Sequence, residues 1–479
     1  MSRLAWFTPL PPARSGIAAY SAEILPLLSR RHQIDTFTDP HAEVEAGAET
    51  VAADLGVSVF PSRDFVWRHG NQPYDLVIYQ LGNSTCHDYM WPYLVRFPGL
   101  VVLHDGQLHQ ARSRALLTSG RRDDYRTEFA FCHPDANPGI AEIVMAALGG
   151  SLYFLWPLVR VPIECARLVA CHSEWLAADL RDTYPGQEFR AIAMGVADPF
   201  GLRLARRSAS REGGTSDAAS CVKARHLIPA DRIVFAAFGR LTPEKRLSEI
   251  LRGLRSVLPY APHAHVLLVG QPVEYYDVEA EARAIGVAER VTVTGHVPDD
   301  ELADYVAASD VCVCLRWPTS RETSASWLRC LAAGKPTIIT DLAHTGSVPA
   351  LDPRTWTSLE ADVRTSDVGH RTSDEGPVCV AIDIVDEQHS LGLAMRRLAQ
   401  DEALRHELGR RARGYWAQHH TLEHMADDYQ RAIDEAIGRP APDRAHLPAH
   451  LLPDGTGRAK AILGEFGLSL EALDWDAPR

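Results

Sequence analysis

The sequence predicts an α/β protein built as two doubly wound domains that face each other across a cleft. Three observations carry this. Short, nearly continuous apolar runs such as DLVIY (75–79), LVVL (100–103) and LVAC (168–171) have the look of strands covered on both faces. Helical stretches alternate with them, the rhythm of a mostly parallel sheet wrapped by helices. That rhythm stops between Pro199 and Arg225, in a segment rich in Gly, Ser and charge, and then begins again. A chain of 479 residues is also long enough for two or three domains.

Taken in order, Leu4–Phe7 reads as the first strand, Thr8–Ser15 as its loop and Gly16–Leu28 as a helix. The three apolar runs above follow, and His172-Ser173-Glu174 opens the helix after the last of them. Past the break, Ile233–Phe238, Val266–Val269, Val291–Thr294, Val311–Leu315 and Thr337–Thr340 read as strands joined by right-handed crossovers. A long helix at about Glu402–Ile437 precedes a Pro-rich tail whose end allows one more short helix. The expected organisation is a first domain over 1–200, a linker over 201–225, and a second domain over 226–412. A C-terminal helix over 413–437 then packs back on the first domain, followed by a tail over 438–479 of no evident chemistry. No repeat of 20–50 residues is visible.

With 46% hydrophobic and 23% charged residues the chain is neither a coiled coil, a collagen-like fibre nor a disordered protein. Its net charge of −13 argues against a nucleic-acid partner. Nine cysteines, an odd number scattered along a chain that needs no staples, suit a reducing cytoplasm. The N-terminus lacks the apolar core and cleavage site of a secretory signal. Met145–Ile163 approaches the length of a membrane span but contains Gly149, Gly150, Pro157 and Arg160, so a buried or interfacial helix is expected there.

In doubly wound sheets, ligands bind outside the carboxyl ends of strands, so the loops after strands hold the chemistry. In VCVCLRWPTSRETSASWLRCLAAGKPTIITD (311–341) a strand leads through a polar loop to Glu322, with Thr323 and Ser324 opening a helix that Gly334 stops. A helix N-terminus aimed into the cleft offers free N–H groups and a positive dipole end to a phosphate, although many βα units share such a loop. In FAAFGRLTPEKRL (235–247), Gly239 permits a tight exit and Arg240 and Lys245 follow; Lys245 is one of only four lysines. A compact ammonium suits a diphosphate, while a solvated basic loop is the plainer reading. Near the N-terminus, prolines stiffen the loop before Gly16, where backbone can approach a ligand, and no G-x-G-x-x-G is present. His104-Asp105 directly follows a buried strand; its histidine suits either a substrate hydroxyl or a structural hydrogen bond.

Together, GRLTPEKRL, VLLVGQP, VTVTGHVPDDELADYVAASDVCV and RETSASWLRCLAAGKPTIITD resemble the C-terminal domain of the retaining glycosyltransferases of family 4, which have the GT-B fold. PPARSGIAAYSAEILPLL looks like the first loop and helix of that family's N-terminal half, and CHSEWLAADL like the signature before its domain crossover. The resemblance spans roughly residues 1–435. It implies an acceptor-side first domain, a nucleotide-sugar-binding second domain, and metal-independent transfer of a hexose-type sugar with no cofactor beyond the donor substrate. By the same resemblance, Arg240 and Lys245 neutralise the donor diphosphate, and Glu322 is the first acid of the E-x7-E motif near the transferred sugar. The N–H groups of Thr323, Ser324 and Ala325 hold the distal phosphate and sugar. His104 lies on the acceptor side, Gly16 is the close-approach glycine, and Val297 meets the base.

One position departs from the pattern: Cys330 stands where the second acid would bind ribose, and a thiol is a poor acceptor. A non-catalytic nucleotide-sugar-binding scaffold or sensor is therefore the alternative function. No D-x-D follows a strand, and Cys165, Cys171 and His172 read as core rather than as a zinc site, so no metal is assigned. The long connection 106–164 mixes Arg112, Arg114, Arg121, Arg122 and Arg126 with the apolar 145–163 stretch. That suits a glycan or an anionic, lipid-linked saccharide acceptor and admits peripheral contact with the inner face of the membrane; an ordinary helical insertion reads equally well.

Overall fold

A computed structural model describes residues 1–39, 55–199, 215–359, 376–452 and 456–469. The first sheet comprises β1 (Arg3–Phe7), β2 (Gln33–Thr38), β3 (Ser58–Pro61), β4 (Leu76–Leu81), β5 (Leu100–Leu103), β6 (Leu168–Cys171) and β7 (Phe189–Ala191). The second comprises β8 (Ile233–Phe238), β9 (Ala264–Val269), β10 (Val291–Val293), β11 (Val311–Cys314), β12 (Thr337–Asp341), β13 (Ala350–Leu351) and β14 (Cys379–Asp383). Every pairing within the two sheets is parallel. β4 and β5 are buried at every residue, as continuous apolar runs with helices on both faces must be.

The strand orders, β3-β2-β1-β4-β5-β6-β7 and β10-β9-β8-β11-β12-β14-β13, each reverse direction in mid-sheet, and the second also exchanges its last two strands at the edge. The reversals lie between β1 and β4 and between β8 and β11. At such a point the two following loops run to opposite faces and leave a crevice at the carboxyl ends of the strands. The four loops concerned are those holding Gly16, Gly82, Lys245 and Glu322.

Three expectations need correction. The linker lies outside the described residues over 201–214, but Thr215–Arg225 is a helix of the second domain. It buries Val222 and pairs Arg225 with Glu301, next to a His226–Tyr305 hydrogen bond of 3.0 Å. The stretch 145–163 is not one helix. Gly149, Gly150 and Pro157 divide it, leaving Gly139–Met145, Leu152–Leu155 and Arg160–Cys165 as separate short helices. The long C-terminal helix is present as two consecutive pieces, Glu402–His419 and Leu422–Gly438.

The break falls where Thr421 turns its hydroxyl to accept from the His424 N–H, an N-cap that starts a new helix. Glu402–His419 packs on the helix Ala325–Ala332 of the second domain, and Leu422–Gly438 packs on Gly16–Leu28 of the first. The tail is also anchored to the first domain: Leu447 is buried, His446 pairs with Glu164 at 2.6 Å and His450 with Glu128 at 2.8 Å. Among the described residues, no helix is long and apolar enough to cross a membrane.

Candidate active site

At the reversal of the second sheet, the chain leaves β8 through Gly239, whose φ of 88° only glycine adopts without strain. The Nζ of Lys245 lies 2.6 Å from where a Cβ on Gly239 would sit, and it donates to the Phe238 carbonyl. Burial, with the Arg316 guanidinium adding to it, holds the Lys245 ammonium down at about 7. Across the crevice, Arg316 leaves β11 and pairs with Glu322 at 2.8 Å, while Thr319 donates to the other Glu322 oxygen at 3.0 Å. Ser324 caps the helix Ala325–Ala332 by accepting from the Trp327 N–H. The first-turn N–H groups of Ala325 and Ser326 have no helical acceptor and face this end of the crevice.

A cavity of about 740 Å³ joins these groups, lined by Phe238, Lys245, Arg316, Glu322, Thr323 and Ser324 from the second domain and by His172, Trp175 and Arg190 from the first. His344 enters from the loop after β12, and its ring meets that of Trp175 at 6.3 Å. Burial lowers the His344 imidazole below its ordinary range. The two domains touch directly here. The Gly106 N–H donates to the Ser320 carbonyl at 2.6 Å, Thr323 donates to the His172 carbonyl at 3.1 Å, and Arg321 pairs with Asp179. Among the described residues, no group of three or more His, Cys, Asp or Glu side chains is placed to hold a metal ion.

Of the residues singled out from sequence, Lys245, Glu322, Thr323 and Ser324 line one cavity. Ala325 contributes backbone at the same helix start, its methyl packing against apolar neighbours. The others stand outside the cavity wall. Arg240 is exposed because its neighbour Leu241 is the residue that packs inward, and alternate side chains of extended chain face opposite ways. Val297 rests against the apolar cluster that includes Phe238 and Tyr305. Cys330 is fully buried: the inner face of its helix presses it against Cys312 and Cys314 of β11, and its thiol is pushed well above the ordinary range. Gly16 opens its helix with free space on its Cβ side.

His104 is engaged within the fold. Its Nε2 bonds Gln80 at 2.8 Å and its Nδ1 bonds His172 at 3.1 Å, so both ring nitrogens are taken. The chain of bonds continues from Gln80 to Tyr429 and from Tyr429 to Tyr20 at 2.7 Å, tying the returning helix to the first domain. Burial keeps both histidines neutral, with His172 lowered to about 4. His104 thus joins a hydrogen-bonded chain that runs through the first domain to the returning helix. Three of the basic residues of 106–164 are likewise engaged: Arg112 forks onto buried Glu128, Arg121 pairs with Asp124, and Arg126 pairs with Asp123 and Glu142.

Sequence reasoning passed over Arg316 and His344, and named Asp105 only as the neighbour of His104. Arg316 had a usable signal, a cation directly after an apolar strand; His344 had none, since its partner Trp175 lies in the other domain.

With this geometry in hand, comparison with known proteins is decisive for one segment. A family model described as glycosyl transferases group 1 matches residues 232–352. The matched segment runs from β8 to β13 and contains Lys245, Arg316, Glu322 and Ser324. Over the whole chain, similar solved structures share the fold at low identity. A sucrose-phosphate synthase of Thermosynechococcus elongatus aligns at 16% identity and TM-score 0.57 over 91% of this chain and 99% of that one. A glycosyltransferase of Rickettsia africae aligns at 11% and 0.58 over 92% and 100%. HepE of Anabaena, solved in complex with UDP-glucose, aligns at 12% and 0.57 over 91% and 100%. The fold is therefore GT-B, with the matched segment as the core of its second domain. No match to a curated protein was found.

Proposed function

We propose that this chain is a retaining glycosyltransferase of family 4. It moves a hexose-type sugar from a nucleotide sugar to a hydroxyl of a glycan or lipid-linked saccharide, without a divalent cation, at the cytoplasmic side of the membrane. The observation that carries the reading is the meeting of Lys245, the Arg316–Glu322 pair and the Ser324-capped helix start in one cavity at the sheet reversal. These are fixed positive groups and dipoles aimed at a single place, the arrangement that stabilises charge growing on a leaving diphosphate. Glu322 holds the Arg316 guanidinium in place, and the first-turn N–H groups offer hydrogen bonds to phosphate oxygens. The complex of HepE with UDP-glucose makes a nucleotide diphospho-glucose the first donor to try.

The test is a thermal-shift panel of UDP-, GDP-, ADP- and dTDP-sugars, followed by assay of nucleotide diphosphate release in excess chelator. A donor that raises the melting temperature and is turned over with chelator present supports the reading. Absence of any shift across the panel overturns it. Turnover abolished by chelator and restored by Mn²⁺ overturns the metal-independent part alone.

A further inference from the structure

The first sheet has its own reversal, between β1 and β4, where Gly16 meets groups to which no role is assigned above. Gly16 stands at the helix start after β1 with open space on its Cβ side. Gly82 follows β4, and a Cβ there would meet Ile17, His87 and an Asp105 oxygen at 2.4, 3.1 and 3.3 Å. Asp105 follows β5, and its Oδ2 accepts from the Asn83 N–H at 2.7 Å. Its Oδ1 has no hydrogen-bond partner among the described residues, and the side chain is only half-buried. Directly beyond it the Gly106 N–H is bonded to Ser320, so the loop bearing Asp105 is docked on the loop bearing Arg316 and Glu322.

We propose that Asp105 is the residue of the first domain that receives the acceptor: its Oδ1 accepts the hydrogen bond of the incoming hydroxyl and fixes that oxygen in front of the donor sugar. The proposal rests on the transferase reading and adds to it the group that selects a hydroxyl. The geometry is apt for this. One carboxylate oxygen is spent on orienting the group, the other is left without a partner among the described residues, and Glu322 and Arg316 of the donor-side cluster are near enough to act on the carboxyl across the docked loops. The charged and titratable groups that face Asp105 are Glu322 and Arg316 from the second domain and His87 from the loop after β4. His87 is held neutral by burial, at about 4. Burial first, and then the nearby Glu322, push the Asp105 carboxyl up to about 7. It therefore becomes an anionic acceptor as pH rises through neutrality.

The variant D105N keeps an oxygen for the Asn83 N–H but replaces Oδ1 by an amide nitrogen, which cannot accept. D105S also keeps an acceptor within the side chain and serves as the second variant if D105N melts early. The probe is hydrolysis of whichever sugar in the UDP, GDP, ADP and dTDP panel raises the wild-type melting temperature most, with water as the entering hydroxyl. Both variants are expected to bind that donor with an unchanged thermal shift and to hydrolyse it about 10–100-fold more slowly, the worth of one hydrogen bond to a charged group. The acid limb of the wild-type rate profile, rising through about pH 7, is expected to vanish. Wild-type hydrolysis and an intact acid limb in both variants overturn the role of Asp105. Donor binding without hydrolysis in the wild type overturns it too while leaving the donor site standing, and no donor binding at all removes the transferase reading itself.

Discussion

Lys245 carries the sharpest consequence at the scale of single residues. In the open cavity its ammonium is held at about 7. A bound diphosphate is an opposite charge at contact distance and favours the protonated form, so its pKa rises on binding. Donor binding should then take up a proton near pH 7–8 and weaken as pH climbs above about 7, by up to about tenfold per unit. Titration calorimetry in buffers of different ionisation enthalpy checks this; an observed enthalpy independent of buffer would contradict it. Lys245→Ala should lower kcat by roughly 10²–10³ with the melting temperature close to wild type. Cys330 makes the opposite kind of forecast. It sits in an apolar cluster with no exposed surface, so Cys330→Glu adds bulk and an unpaired carboxyl to a closed core. A loss of roughly 2–4 kcal/mol is expected in denaturant melts, through overpacking and polar burial. Lys245, Glu322 and Ser324 were legible in the sequence because each follows an apolar run that had to be a strand. Asp105, His344 and the hydrogen-bond partners of His104 were not, because each depends on a neighbour distant in the chain.

Among the elements, the helix Ala325–Ala332 and the loop before it fix the site. The helix buries Trp327, Leu328, Cys330, Leu331 and Ala332, and that face holds its N-terminus at the cavity. Ser324→Ala should lower stability by about 1 kcal/mol, the worth of an N-cap, as read from a thermal melt. The joint between the domains is equally local. A Cβ on Gly106 would stand 2.9 Å from the Ser320 carbonyl oxygen and 3.2 Å from the Arg321 Cβ. Backbone cannot yield there without parting the loops. Gly106→Ala is therefore expected to widen the particle in small-angle scattering and slow turnover while each domain melts as before. An unchanged scattering profile with full activity would show that the joint carries no weight. The central strands were readable as continuous apolar runs, whereas β2, with the mixed sequence QIDTFT, and the short β3, β7 and β13 gave no such run. The break at Thr421 was hidden too, since the apolar spacing of a helix carries on across it. What marks it is Gly195, whose Cβ position lies 2.3 Å from the Thr421 carbonyl oxygen.

At the scale of the whole molecule, the chain passes between the domains twice, and the two passages hold each other. Val196 donates to the His420 carbonyl at 3.0 Å, and the His420 ring bonds the Met194 carbonyl at 2.9 Å. Among the described residues, these two adjacent stretches of chain join the domains and form the natural axis for opening the cleft. The second domain is then an insertion within the first. Trp6, Tyr20 and Ile24, from the opening of the sequence, share a cluster with Met425, Tyr429 and Ile433, from near its close. A chain ended after His419 should keep a protease-resistant second domain while the first is digested; resistance of both would contradict this. On the ribosome, domains generally fold as they emerge, beginning at the N-terminus. Here that order is reversed: the domain that begins with β1 is completed last. Until Leu422–Gly438 leaves the exit tunnel, the helix Gly16–Leu28 shows an uncovered apolar flank, and the longest chain that still lacks its cover ends just before that helix. A nascent chain halted near residue 420 is thus the form of this protein that most needs a chaperone.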